Sequence, residues 1–385
     1  MQTKLHRRAF LATFASVAAA QTAPVPEAIR SLQPMTGGVV PIADSERAAR
    51  VDKARRLMRE NRLSAIVVPT GSNMFYFAGK RAPGQAWILA GKGEPAWTAA
   101  DPASLARTLR DFKIAAGSIG LEEQTPFAIV AGLGKEAPAL HCASATPVTA
   151  GCRMYKSAAE IALMQHANDV TIAAYKAGLA TMREGMTQGE LSANIGAAYR
   201  ALGYSGYASA SFGQYTAFPH GSITPQHLKE GDMVMIDDGC AVEGYQSDIT
   251  RTVVFGKPSA RQREIWNLER RAQDAALAAA KVGAPCEAVD AAARKVITDG
   301  GFGPGYKVPG LPHRTGHGIG LDGHEWTYLV RGNRTPLAPG MCFSDEPTIA
   351  IYGEFGVRLE DCFYMTENGP RFFSKQSPAI DQPFG

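Results

Sequence analysis

At 385 residues, with 45% hydrophobic and 20% charged residues, the chain has an ordinary soluble, globular composition and length enough for two domains. Its net charge of +4 includes Lys4, Arg7 and Arg8 of an acid-free start; about +1 remains without them. That excludes the clustered basic footprint of a nucleic-acid binder, and no later stretch is long and apolar enough for a comfortable membrane span.

In chain order, MQTKLHRRAFLATFASVAAAQTA couples a basic start to an apolar run with small residues near its end. Residues 1–23 therefore read as a secretory signal of the twin-arginine kind, which predicts a periplasmic or secreted protein with no stable membrane span once mature. Residues 24–44 are rich in Pro, Gly and Ala, as a linker or extended arm would be. Six scattered cysteines form no CxxC pair, which argues for buried free thiols. Export would permit a bridge without specifying one.

Over residues 45–150 the chain alternates. Ser45 is placed to N-cap an amphipathic helix, SAIVVPT, AWILA and AWTAA read as strands, SLARTLRDF as helix and SIGLEE as strand, predicting an α/β domain. From residue 151 to 385 the pattern changes. Ser157 with Glu160 and Thr187 with Glu190 are capping boxes that open two helices. A second helix pair, ARQREIWNLERRAQDAALAAAK and GAPCEAVDAAARKVITDGGF, follows about a hundred residues later. Each pair precedes glycine-punctuated strands, so this domain reads as two related halves.

The chemistry sits in those strands. In DMVMIDDGCAVEGYQSDITRTVVF a turn centred between Val242 and Glu243 would set Asp237 opposite Asp248, and a bulge at Gly244 would shift this by one residue. In CFSDEPTIAIYGEFGVRLEDCFYM a turn centred on Gly353 sets Glu346 opposite Glu360. Alternation turns Asp238 and Asp345 to the other face. Like charges so placed destabilise a hairpin, and four carboxylates together are too costly to leave unpaired. Between the hairpins lies HRTGHGIGLDGHE, whose glycines argue against the HExxH zinc helix. Two divalent cations would cancel the acids' charge, and one imidazole would complete an oxygen-rich site. Such donors favour Mn, with Co, Fe or Zn possible, and the chemistry they support is hydrolytic.

These segments, together with PHGS and RMYKSAAEI upstream, resemble the creatinase/aminopeptidase P/prolidase family of metallopeptidases, M24, over residues 45–375. The resemblance implies an α/β (α+β) chain: a creatinase-like N-terminal domain, then a pita-bread catalytic domain with two pseudo-repeated halves. It implies metal ligands at Asp237, Asp248, His317, Glu346 and Glu360, with Asp248 and Glu360 shared by both ions. It further implies catalytic roles for His220 near the scissile bond, His324 at the tetrahedral intermediate and Glu346 in handling the proton. His313 and Arg358 match outer positions that shape the site. The activity implied is removal of an N-terminal residue from short peptides, at Xaa-Pro bonds, by an enzyme that often forms a homodimer. Two departures border the pocket: Trp326 stands where the proline-specific members have Pro after HE, and Thr348-Ile349-Ala350 replaces Gly-Ile-Tyr after Glu346-Pro347. They leave open a creatinase-like small-molecule hydrolase or lyase, and a catalytically silent peptide-binding module stands as the alternative of another class.

Overall fold

The computed structural model describes residues 25–385, so the expected signal lies outside the described residues. Residues 25–43 are an arm packed on the body. Helix α1 (Glu27–Arg30) buries Ile29, Met35 donates its backbone N–H to Leu202, and Ile42 is buried. Helix α2 (Asp44–Glu60) starts one residue before the expected cap: Ala43 is its N-cap, and Asp44 and Glu46 lie in its first turn instead of a capping Ser45. The acids there favour the positive end of the helix dipole, which a serine cap is not needed to supply.

The N-terminal domain continues with β1 (Ala65–Pro69), α3 (Ser72–Ala78), β2 (Gln85–Ala90), β3 (Ala96–Ala99), α4 (Pro102–Asp111), β4 (Gly117–Leu121), α5 (Phe127–Glu136), β5 (Leu140–Ser144) and α6 (Thr146–Arg153). Its five strands run in the order β3-β2-β1-β4-β5, parallel across β1, β4 and β5 and antiparallel on the other side. The apolar run of β1 is buried on both faces, as a central strand requires.

In the second domain both expected capping boxes form, Ser157 with Glu160 opening α7 (Ala158–Leu179) and Thr187 with Glu190 opening α8 (Gln188–Ala201). Strands β6 (Ser209–Phe212), β7 (Met233–Asp237), β8 (Ala241–Val242), β9 (Tyr245–Gln246) and β10 (Arg251–Val254) complete the first half. The second repeats the plan with α9 (Ala260–Ala279), α10 (Cys286–Asp299), β11 (Gly316–Gly318), β12 (Glu325–Leu329), β13 (Cys342–Asp345), β14 (Thr348–Ile351), β15 (Phe355–Arg358), β16 (Asp361–Thr366) and β17 (Gly369–Phe372). Their main sheets are β10-β7-β6 and β12-β11-β13-β16-β17. No helix among the described residues is long and apolar enough to cross a membrane. All six cysteines are free thiols, five of them buried.

The domains share one continuous apolar core, in which Met58, Met74 and Phe77 join Leu163, Met164 and Ile195. Two buried polar networks cross the same boundary. In the first, Arg50 of α2 donates to the Tyr76 carbonyl at 2.9 Å and to the Tyr245 hydroxyl at 3.0 Å, and Tyr245 donates to Glu160. In the second, Arg153 donates to Asn73, Asp322 and Glu325, while Lys156 donates to Glu325 at 2.6 Å and Ser72 to Asp322. This second network clamps the loop that carries His324.

Burial alone would raise the Glu325 carboxyl, but Lys156 and Arg153 outweigh it and hold the group below the ordinary range. Its contribution is therefore fully present above the unfolded glutamate pKa of about 4.3 and is lost as pH falls through the lower folded value. Glu325→Gln leaves two buried cations short of a partner and should cost about 3–5 kcal/mol at pH 7. Urea unfolding at pH 7 and near pH 4 checks this: the gap from wild type should narrow in acid, and equal midpoints at pH 7 would remove the network from any stabilising role.

Candidate metal centre

The first ligand hairpin differs in register from the sequence reading. Ala241 pairs with Gln246 and Val242 with Tyr245, so its turn is Glu243–Gly244, one residue later than expected. Both turn residues have positive φ, 49° and 85°, the type I′ geometry that matches strand twist. The β7–β10 ladder has Ile236 opposite Arg251, and continuing it sets Asp237 against Thr250. Asp248 is therefore not its cross-strand partner. The two acids still converge, because the ladder breaks at Asp238 (φ 114°) and Asp237, Asp248 and Glu360 bring carboxylate oxygens within 4.8 Å of one another. The second hairpin follows the expectation. Thr348 pairs with Arg358 and Asp345 with Asp361, a common register that sets Glu346 opposite Glu360.

His317 sits on β11 between β12 and β13, and its glycine neighbours are dictated by that crowding. A Cβ on Gly316 would lie 2.1 Å from the Ser344 carbonyl oxygen, and one on Gly318 2.5 Å from that of Glu325. Helix α10 anchors the segment below: Asp290 accepts from the Thr315 hydroxyl at 2.8 Å, and Arg294 donates to the carbonyls of Leu311 and His313.

The hydrogen bonds fix what each ring can do. His317 Nδ1 lies 3.1 Å from the Gly318 carbonyl, which only accepts, so Nδ1 carries the proton and Nε2 a bare lone pair. That lone pair faces Glu346 Oε1 at 3.2 Å and Asp248 Oδ2 at 3.8 Å. Burial, then His324, lowers the His317 pKa well below its usual value, so the ring supplies no proton to this contact. Thr250 has one hydroxyl proton for two carboxylate oxygens, Asp237 at 2.5 Å and Glu360 at 2.7 Å. Burial first, then the neighbouring acids, pushes Asp248 and Glu360 well above the ordinary carboxylate range and Glu346 up to about 7. Lone pairs converging on buried carboxylates have one chemical complement, a cation. The five expected ligands fit divalent metal ions.

The remaining expected residues separate by position. His324 stacks on His317 with ring centroids 3.8 Å apart, and Arg314 donates to its Nδ1 at 2.7 Å. Since a guanidinium cannot accept, His324 is held as the Nε2–H tautomer, a donor beside the ligands. His313 is an outer residue: its Nδ1–H goes to the Arg314 carbonyl and its Nε2 lies 2.9 Å from the Thr348 hydroxyl. Arg358 pairs with Asp237 and donates to Thr250 at 3.0 Å. His220 is exposed on a groove with Tyr207 and Ile223, outside the ligand cluster. It is still near enough for its charge to help lower the His324 pKa, after burial and Arg314. Trp326 lies in a bulge, since Glu325 pairs with Gly318 and Tyr328 with His317, and it is 44% exposed. Asp345 faces away from the ligands, buried against α9 with no hydrogen-bond partner for its carboxylate among the described residues.

Sequence reasoning missed Arg314, Thr250 and Ser344. Ser344 accepts from the His317 backbone N–H at 3.0 Å and lies 3.3 Å from Glu346. The alternation rule that excluded Asp345 applies equally to Thr250, two residues past Asp248 on the ligand face, and was the available signal.

Comparison with known proteins agrees with this geometry. Residues 162–367 match the model of metallopeptidase family M24, and residues 50–107 that of the creatinase/prolidase N-terminal domain. An Xaa-Pro dipeptidase of Lactobacillus helveticus is 40% identical over 228 residues, 58% of this chain and 60% of that protein, so the match spans less than two thirds of that relative. An Xaa-Pro dipeptidase of Pyrococcus horikoshii is 30% identical over 352 residues, 85% of this chain and 97% of the relative. Among solved structures, dipeptidase PepE from Mycobacterium ulcerans superposes with a TM-score of 0.78 at 30% identity, covering 87% of this chain and 97% of that one. The prolidase from P. horikoshii gives 0.75 at 28% identity, covering 85% and 98%. With a cage of oxygen and nitrogen donors built on two hairpins, and a family match over more than half its length, the chain belongs to metallopeptidase family M24.

Proposed function

We propose that the protein is a dinuclear-metal peptidase that removes the N-terminal residue of short peptides at Xaa-Pro bonds. One observation carries the reading: the bare Nε2 of His317 converges with carboxylates from both hairpins. The printed names of the relatives, Xaa-Pro dipeptidases, support the choice of bond. Divalent ions held there would polarise the scissile carbonyl and acidify an attacking water. The protein's own groups do the rest. His324 presents Nε2–H to the carbonyl oxygen as negative charge develops on it. Glu346, steadied by Ser344, takes the water's proton and passes it to the leaving imino nitrogen. Arg358 and Thr250 hold Asp237 and Glu360 in place from outside.

The deciding experiment strips the protein of metal, restores Mn, Co, Zn or Fe, and assays Xaa-Pro against Xaa-Pro-(Ala)n. Turnover should vanish with chelation and return with Mn or Co, and a rate indifferent to a strong chelator would overturn the reading. Asp248→Ala or Glu360→Ala should abolish turnover and lower bound metal by elemental analysis, so near-normal activity in either removes it from the centre. Arg314→Met frees the His324 tautomer and should lower kcat by roughly 10²-fold at unchanged metal content, the scale of losing one oxyanion donor. A change confined to KM would show instead that Arg314 serves only binding.

A further inference from the structure

Beside the metal centre the two domains enclose a cleft of about 730 Å³, with Thr70, Asn73 and Glu122 on one wall and His324, Trp326 and Tyr328 on the other. Its charges are unevenly paired. The terminal nitrogens of Arg153 are engaged by Asn73, Asp322 and Glu325, its Nε has no partner among the described residues, and Lys156 is engaged by Glu325. Glu123 at the rim accepts from the Thr146 hydroxyl at 2.7 Å. Among the cleft's acids Glu122 is the least well answered: it is half-buried, and its Oε1 is shut from water with no hydrogen-bond donor among the described residues. Burial raises its carboxyl to about 7, because Asn73 and the Arg153 charge offset the desolvation only in part. The facing wall is aromatic, with Trp326 open to solvent and Tyr328 already covered on one side by Arg314, 4.7 Å from the ring centroid.

A cleft lined by aromatic side chains and an under-paired carboxyl suits a flexible aliphatic stem with a cationic head, since the rings pack the stem and the carboxylate hydrogen-bonds the head. A neutral side chain would leave Glu122 desolvated and unpaired, a cost its competitor avoids. In an Xaa-Pro dipeptide proline has no charge to offer, so a cationic side chain can come only from the N-terminal residue. We propose that this cleft seats the side chain of the substrate's N-terminal residue and that Glu122 selects lysine or arginine there. The assignment rests on the Xaa-Pro reading for its substrate but on the cleft alone for its ligand chemistry.

The test uses the full, metal-loaded protein and two pairs of probes that differ only in the cationic head. By kinetics, kcat/KM for Lys-Pro should exceed that for norleucyl-proline at least tenfold, and Glu122→Gln should compress the ratio to within about twofold. By calorimetry, lysinamide should bind at least tenfold tighter than norleucinamide, again only with Glu122 present. Equal handling of the two side chains in wild type, or a ratio that survives Glu122→Gln, overturns the assignment. An equal loss for both amides in the variant would place the α-ammonium at Glu122 and overturn it too. Absence of turnover on every Xaa-Pro peptide would sink the peptidase reading instead, and the calorimetric pair would still decide the role of Glu122. The substitution is isosteric and removes a burial cost, so the variant should fold.

Discussion

Everything at this centre follows from placing a deprotonated imidazole nitrogen and four carboxyl groups where water barely reaches. Without a cation the arrangement is unfavourable on every count: the acids repel, their desolvation is uncompensated, and His317 Nε2 points a lone pair at Glu346. Arg358 pairs directly with Asp237 and offsets the other acids only in part, through space. Without a cation, only a proton held on a neighbouring carboxyl could relieve the lone pair, because the ring itself is kept neutral by burial and its neighbours. Metal binding and proton release are therefore linked, and affinity should fall as the carboxyls protonate.

Holding so unfavourable a group of side chains requires a frame that cannot relax, and it is stitched across the two halves. Glu360 donates its backbone N–H to the Thr250 carbonyl, Arg251 donates to the Glu360 carbonyl at 2.9 Å, and the Thr252 hydroxyl donates to the Arg358 carbonyl at 2.6 Å. From the other side Glu346 donates its backbone N–H to Thr315, which α10 fixes through Asp290. The N-terminal domain belongs to this frame as well. Arg50 holds Tyr245 beside the turn of the first ligand hairpin, and Arg153 holds the loop of His324. Separating the domains would expose both networks along with their shared core.

How much of this was legible depended on whether a local rule governed it. The capping boxes at Ser157 and Thr187 read directly, because their bonds close within one helical turn. The Glu346–Glu360 register read correctly because Gly353 marks a symmetric three-residue loop between Ile351 and Phe355. The Asp237–Asp248 register did not, because a non-glycine residue, Glu243, takes positive φ and moves the turn by one position. Their convergence survived that error because the ladder ends before Asp248, so metal geometry there is set by the break at Asp238. Arg314 and Glu122 were out of reach for another reason: each acquires its role from a partner on a different element, and neither spacing nor periodicity reports such a contact.

The two departures from the family pattern fall in different settings, one in a buried ladder and one in a bulge. Thr348 begins β14, and its hydroxyl gives the outer ring of His313 a donor that a glycine at that position would not supply. Trp326 sits in the β11–β12 bulge, where two residues interrupt the ladder and side-chain direction is no longer fixed by alternation. A metal ligand displaced by a fraction of an ångström loses its ion, so ligands belong at ladder ends or on tightly walled strands such as β11. A cleft wall tolerates such displacement and changes what it accepts. Hence the same backbone that fixes hydrolytic chemistry in the cage leaves side-chain preference to the bulge beside it, and Trp326 facing Glu122 is where that preference should be sought.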